Sequence, residues 1–230
     1  MTEPMSANGA REIDLALLIA DLSGYTALAE THGALQASET VLQFGRLVEA
    51  SLEPGVAIID RIGDEVFCAG ADTLAVVRTA LCLRDKAELE PRFPRVRMGI
   101  HRGPIVEREG RLFGAPINLA ARLAAHAKGG QILCTEPIAN TARVFANVGP
   151  RRIGERRFRN VAHPVAVVEL AHADERRAAV AIDPVCRMQV AIDRAAATIA
   201  HGGAAYRFFS TECARAFAQA SGLYAGSGGH

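Results

Sequence analysis

The order of apolar segments in the first half of the chain restricts the protein to very few folds. A strand pattern over Ile13 to Ala20 precedes a long helical pattern over Tyr25 to Leu52. Two strands follow, Val56 to Ile62 and Glu65 to Ala69, and a two-residue turn joins them. A second helical pattern, Thr73 to Leu89, then leads into another strand. This βαββαβ order is the split βαβ arrangement, so the sequence predicts an α+β fold built on a ferredoxin-like sheet.

Later segments are predicted to extend this sheet. The strand pattern Val96 to His101 runs into Gly103-Pro104, which predicts a turn and a returning strand over Ile105 to Glu107. The remaining predictions are a break in the first helix near Gly33, a helix over Pro116 to Ala127, a strand over Gln131 to Cys134, and a closing hairpin with strands Arg152 to Phe158 and Val165 to Leu170.

The length of 230 residues allows one full domain and one smaller module. We assign residues 12–172 to the first domain, 173–181 to a short helical linker rich in alanine and charge, and 182–224 to the module. A unit of about 40 residues is close to the size below which a domain usually needs a metal, a disulfide or a larger partner. The module is therefore predicted to depend on one of these.

Charge and hydropathy exclude several classes of function. Lysine and arginine number 26 and aspartate and glutamate 25, so the net charge of +1 provides no field that would recruit nucleic acid. The predicted strands also lack a row of aromatic residues for base stacking. The apolar run Leu15 to Ala20 is far too short to span a bilayer, and Met1 to Ala10 has no signal-peptide pattern. We therefore expect no nucleic-acid partner, no membrane span and a cytoplasmic location; five cysteines, an odd number, argue against a disulfide framework.

Two carboxylates stand at neighbouring strand ends. Asp21 follows the first strand, and the Gly24 turn after it opens a helix whose N-terminal amides could bind phosphate oxygens. Taken alone, Asp21 could equally be a helix cap. Asp64 lies in the turn between the next two strands, where aspartate is ordinary turn chemistry. Together the two could hold a pair of divalent ions for in-line displacement at phosphorus.

An amide and a guanidinium occupy one face of the third helix. Asn118 and Arg122 are four residues apart, so they share that face. They could bind a ribose and a phosphate together, or they could be an exposed polar stripe.

These three segments, with residues 98–104 and 157–164, resemble the class III nucleotidyl (adenylyl/guanylyl) cyclase catalytic domain over roughly residues 12–172. The resemblance implies a homodimer with active sites at its interface. Asp21 and Asp64 would bind two Mg²⁺ or Mn²⁺ ions per site. Asn118 and Arg122 of the partner subunit would orient the ribose and stabilise the transition state. The amides of Leu22, Ser23, Gly24, Tyr25 and Thr26 would hold the triphosphate, helped by Arg159, which stands where the family commonly has a lysine.

The implied reaction is attack of the ribose 3′-oxygen on the α-phosphorus of GTP or ATP, with pyrophosphate leaving. At the two base-specifying positions of the family, this chain has Asp60 and Arg111 in place of the residues that read adenine. This pair could read guanine. Alternatively, Asp60 and Arg111 could form a salt bridge, close the base pocket and leave a catalytically silent nucleotide- or metal-binding regulator.

The C-terminal segment resembles the YHS domain, a small module often associated with metal handling, through residues 183–188 and 206–217. Cys186 and Cys213 could bind Zn²⁺ or Cu⁺, with His201 as a third ligand. The family pattern has a further cysteine where this chain has Phe209. The alternative is that the two cysteines are small hydrophobic core residues. In the first interpretation, the module would report metal or redox state to the cyclase-like domain.

Overall fold

The computed structural model describes residues 10–173 and 180–225. The first domain is built on an eight-stranded sheet with the order β2-β3-β1-β4-β6-β8-β7, and β5 pairs with β4 outside this path. The segment β2-β3-β1-β4 is the ferredoxin-like core, which confirms the predicted mixed α+β class. The strands are β1 Arg11–Leu22, β2 Val56–Ile62, β3 Glu65–Gly70, β4 Val96–Arg108, β5 Arg111–Phe113, β6 Ile132–Thr135, β7 Val148–Arg156 and β8 Val165–His172.

The first strand forms the centre of the sheet because it is apolar on both faces. Its last seven residues are buried, and β1 pairs antiparallel with β3 on one side and β4 on the other. This register places Asp21 directly opposite Glu65 and Arg97. One end of the sheet therefore collects charged side chains around a buried strand.

Helices cover both faces of the sheet. They are α1 Tyr25–Glu49, α2 Thr73–Leu89, α3 Ala115–His126 and α4 Glu136–Ala142. The main core lies under α1, α2 and α4, and α3 packs on the opposite face through Ala120 and Ala124 against Leu17 and Ile19. The predicted break in α1 is present, since Gly33 has φ 83° and ψ 167°, outside the helical region.

The predicted turn at Gly103-Pro104 is wrong. β4 continues straight through both residues because β1 offers a partner along its whole length, from Arg11 to Leu22. Gly103 serves a close approach instead, since a Cβ there would lie 2.8 Å from Cγ of Pro116. The chain reverses later, at Glu109 and Gly110, whose φ angles are 53° and 72°. Sequence analysis also missed α4, a short helix that follows β6 directly.

The C-terminal module is two small hairpins and two short helices. Its elements are β9 Val180–Ile182, β10 Gln189–Ala191, a 3₁₀ turn Ile192–Arg194, β11 Ala197–His201, β12 Ala204–Phe208, α5 Thr211–Gln219 and α6 Ser221–Tyr224. The Ser210 hydroxyl caps α5 by accepting a hydrogen bond from the Cys213 amide. The predicted helical linker falls largely on residues 174–179, outside the described residues, and at its C-terminal end the structure has strand β9 rather than helix.

The module packs directly against the first domain. Leu28 of α1 is fully buried in the module's core. The Gln189 side chain donates to the carbonyls of Ala87 and Phe93, both at 3.1 Å. On the loop before α1, a Cβ at Gly24 would lie 2.4 Å from Cβ and Cγ of Arg187. The module therefore contacts the loop and helix that follow Asp21.

Within the described residues, no helix combines the length and the apolar character that crossing a bilayer requires.

Candidate active site and metal ligands

Asp21 is a nearly buried carboxylate at the end of the central strand, with 7% of its surface exposed. It does not cap α1, since that helix begins with no side-chain cap. Instead, Arg97 donates from Nε to its Oδ2 at 2.6 Å, and a terminal guanidinium nitrogen also contacts that oxygen. Sequence analysis missed Arg97, because the β1–β4 register that sets these two residues opposite each other is not visible in any local pattern.

Asp64 meets Asp21 from the β2–β3 turn. The two carboxyl groups lie close enough for each to affect the ionisation of the other. Burial, followed by the hydrogen bond to Asp21 and the charge of that residue, raises the pKa of Asp64 to about 6. Burial and then the charge of Asp21 also raise the pKa of Glu65. The structure therefore brings together the two aspartates singled out from the sequence, at a point where three carboxyl groups crowd.

This donor set suits a hard divalent cation. Mg²⁺ and Mn²⁺ prefer carboxylate oxygens, and a bound cation would offset the burial and the repulsion from Asp21 that raise the pKa of Asp64. Arg97 already forms an ion pair with Oδ2 of Asp21. A metal ion would therefore have to compete with Arg97 for that oxygen.

The loop after Asp21 offers fewer amides than predicted. Leu22 is a buried part of β1, and the Ser23 amide already donates to the Arg95 carbonyl at 2.8 Å. The first intrahelical bond of α1 runs from the Leu28 amide to the Gly24 carbonyl. The amides at the beginning of α1, including those of Tyr25 and Thr26, precede this bond and are the ones a phosphate could use.

Asn118 and Arg122 are on the exposed side of α3. The opposite side of that helix packs on the sheet, so both side chains face outward. Within residues 10–173 and 180–225, neither side chain forms a hydrogen bond or ion pair. Arg159 is likewise exposed, in the connection between β7 and β8. One protomer thus pairs the two aspartates but leaves these three side chains without a contact to them.

The suggested closed pair of Asp60 and Arg111 does not form. In the described part of the chain no ion pair joins them. Asp60 Oδ1 accepts a hydrogen bond from the Arg61 amide at 2.8 Å, and Arg111 is exposed. The reason is topological, because Asp60 lies on edge strand β2 while Arg111 lies on β5, which pairs with β4. Both side chains remain open to a ligand.

The module holds a different group of candidate ligands. Cys186, Cys213 and His32 have one ligand atom each within 4.8 Å of the others. The suggestion that His201 is the third ligand is wrong, since its exposed ring packs edge-on against Phe217 instead. No spacing in the sequence pointed to His32, because it belongs to α1 of the other domain.

Two named relatives are similar in sequence to about half of this chain. A pH-sensitive adenylate cyclase of Mycobacterium tuberculosis is 32% identical over 130 residues, which cover 56% of this chain and 32% of the relative. An adenylate cyclase of Glutamicibacter nicotianae is 30% identical over 125 residues, covering 54% of this chain and 31% of the relative. The chain thus spans about a third of the length of these relatives. No family model matches the chain.

Two solved structures with a similar fold are nucleotidyl cyclases. The adenylyl cyclase CyaB from P. aeruginosa superposes with a TM-score of 0.62 at 21% identity, over 73% of this chain and 97% of that one. The guanylate cyclase domain of RhGC from Catenaria anguillulae, in complex with GTP, superposes with a TM-score of 0.58 at 13% identity, over 71% of this chain and all of that one. The first domain therefore has the fold of class III nucleotidyl cyclase catalytic domains.

Proposed function

We propose that this protein is a nucleotidyl cyclase that converts GTP or ATP to the 3′,5′-cyclic nucleotide and pyrophosphate in intracellular signalling. The contact between Asp21 and Asp64 carries the proposal. Two carboxyl groups held together at a sheet end, with one pKa raised to about 6, suit divalent-cation binding better than they suit stability. The cyclase fold and the named relatives support the same activity.

The residues of one protomer would bind the triphosphate end of the substrate. Asp21 and Asp64 would hold two Mg²⁺ or Mn²⁺ ions, which when bound lower the pKa of the 3′-hydroxyl and offset charge on the α-phosphate. The amides at the beginning of α1 would donate to the phosphate oxygens. When the metal ions bind, the ion pair between Arg97 and Asp21 would break, and the Arg97 guanidinium could then contact the phosphate oxygens.

The partner subunit would complete the site. Asn118 and Arg122 are exposed and have no partner within the described parts of their own chain, which is the state expected of residues that act across an interface. There, the amide would orient the ribose and the guanidinium would stabilise charge on the reacting phosphate. A homodimer would contain two such sites.

The base-specifying residues favour guanine. An aspartate at position 60 can accept from the guanine N1 and N2 hydrogens, and an arginine at position 111 can donate to O6 or N7. Since the two do not neutralise each other in this chain, both are available to a base.

Mixing two inactive variants tests the shared site. Asp64→Asn and Arg122→Ala would each be inactive as homodimers with Mn²⁺ and either GTP or ATP. An equal mixture would form heterodimers with one intact site, so activity would return to about a quarter of the wild-type value. Recovery to that level supports the proposal, whereas no product from wild type at high protein concentration would refute it.

One observation favours a second function, a catalytically silent regulator. Arg97 already neutralises Asp21, and such a pair would make a metal unnecessary. The two functions differ in Mn²⁺ binding. Titration of wild type and Arg97→Ala would show binding by both if the protein is a cyclase, and by the variant alone if the ion pair has replaced the metal.

A further inference from the structure

Three side chains from two domains converge on one point outside the candidate active site. His32 ends the first segment of α1, Cys186 lies in the loop before β10, and Cys213 lies in the first turn of α5. Their ligand atoms all lie within 4.8 Å of one another. Both cysteines are fully buried, and neither forms a disulfide.

The distances match a tetrahedral metal site. His32 Nε2 lies 3.5 Å from Cys213 Sγ. With Zn–S near 2.3 Å and Zn–N near 2.05 Å, the edge between a sulfur and a nitrogen ligand is about 3.6 Å long. The Cys186 sulfur lies within 4.8 Å of both of these atoms. Zinc could therefore enter with small movements of these side chains.

Neighbouring groups fix the ligands in place. The fully buried Asp183 carboxylate accepts from the Cys186 amide at 3.2 Å and from the Phe209 amide at 2.6 Å, which joins the two cysteine-bearing segments. The Phe209 ring packs edge-on against the His32 ring at a centroid distance of 5.3 Å. Such supporting contacts are typical of sites whose ligands must hold one orientation.

Phe209 also explains why the third ligand comes from the other domain. It stands where the resemblance implied another cysteine, so the module by itself holds two thiols. Phe209 contacts His32, and the imidazole occupies the place beside the thiols. A site of this kind is complete only while the module is docked on α1.

We propose that His32, Cys186 and Cys213 bind one Zn²⁺ ion that fastens the C-terminal module to the beginning of α1. Zinc accepts two thiolates and one imidazole, and the thiol protons leave to solvent on binding. The fourth position would be open to water. Because only Ser23 and Gly24 separate α1 from the strand that ends with Asp21 and Leu22, the ion would fix the first helix segment that borders the candidate active site.

The zinc content of the 230-residue chain measures how far the proposed site is occupied. The chain would be loaded with Zn²⁺ under a reductant, dialysed against excess Mg²⁺ to occupy the carboxylate site, and analysed for metal. We expect one Zn²⁺ per chain in wild type and in two controls, His201→Ala and Cys82→Ser. Replacement of Zn²⁺ by Co²⁺ should give thiolate-to-cobalt charge-transfer absorption.

Variants at the ligands decide which residues bind. Cys186→Ser and Cys213→Ser should retain no zinc, and His32→Ala should bind at least about tenfold more weakly. His32→Cys should restore binding, which guards against a variant that simply fails to fold. Undiminished zinc affinity in His32→Ala, loss of zinc in His201→Ala, or no zinc in wild type would each overturn the proposal.

Zinc should also protect α1 from hydrogen exchange. Amides of residues 25–32 should exchange more slowly in the zinc-loaded wild type than in the metal-free protein, with no such change in Cys213→Ser. Equal exchange with and without zinc would show that the ion does not fasten the helix to the module.

Discussion

The two domains differ in how much of their own core they supply. The main core of the first domain is drawn from its own strands and helices. The module's core has eight buried residues, of which seven are its own and one, Leu28, belongs to α1. A unit of about 40 residues has little core of its own, and here it completes that core with a residue from the helix of a larger neighbour. That helix also lies next to the two aspartates.

The largest expected effect is a loss of cyclase activity that leaves zinc binding by the module unchanged. Asp64→Asn should lower cyclase activity about a thousandfold, because losing a metal ligand forfeits several kcal/mol of transition-state stabilisation. Zinc content should stay at the wild-type level, since the module does not use this residue. Cyclic nucleotide assays would measure the first effect, and the control is Asp14→Asn, an exposed aspartate of strand β1. Full activity in Asp64→Asn would contradict the proposed site.

The next effect is a loss of stability when the α1 residue in the module's core is truncated. Leu28→Ala should lower the free energy of unfolding by about 2–5 kcal/mol, because it leaves a cavity in the module's core. Limited proteolysis should then cut the module faster. The control, Leu35→Ala, lies in the same helix with 76% of its surface exposed, and its effect should stay within about 0.5 kcal/mol. Equal losses in the two variants would mean that Leu28 does not hold the module.

A smaller effect concerns base selectivity within the first domain. The double exchange Asp60→Lys with Arg111→Asp should raise the ratio of kcat/KM for ATP over GTP by about tenfold or more, since a good base contact contributes about 1–3 kcal/mol of discrimination. Steady-state kinetics with both triphosphates would measure it, with Arg108→Asp as a neighbouring charge control. An unchanged ratio would show that these side chains do not face the base.

The smallest effect is a pH dependence of stability in the metal-free protein. The pKa of Asp64 is about 6 in the folded chain and near 3.8 when unfolded, so the ionised group opposes folding above pH 6. That cost fades as the pH falls through 6 toward 3.8. Asp64→Asn should therefore be more stable than wild type at pH 7, with a difference that shrinks toward pH 4. Urea titrations would measure it, and a difference that grows on acidification would have the wrong sign.

Local patterns predicted the sheet core and the aspartate pair because both depend on short segments. The bounds of β2 and α2 agree with the sequence, and Asp21 and Asp64 meet as their strand-end positions suggested. The prediction of a turn at Gly103-Pro104 is wrong, because pairing with β1 overrides the local turn preference of these residues.

The partners of charged and metal-binding residues could not be found in the same way. Arg97 reaches Asp21 through the register of two strands, which the sequence does not print. His32 is 181 residues from Cys213, and only the docking of the module joins them. Phe209 stands where the family pattern has a cysteine, so the sequence indicated that one metal ligand was missing. It did not indicate which residue takes the place of that ligand.

Gly33 divides α1 into two helical segments that pack against different parts of the molecule. The segment before it contacts the module through Leu28 and His32 and the main core only through Tyr25, whereas the segment after it packs in the main core through Phe44 and Val48. Because Gly33 interrupts the helix, the position of the first segment depends on the module and on the contact between Gly24 and Arg187 rather than on continuity with the second segment.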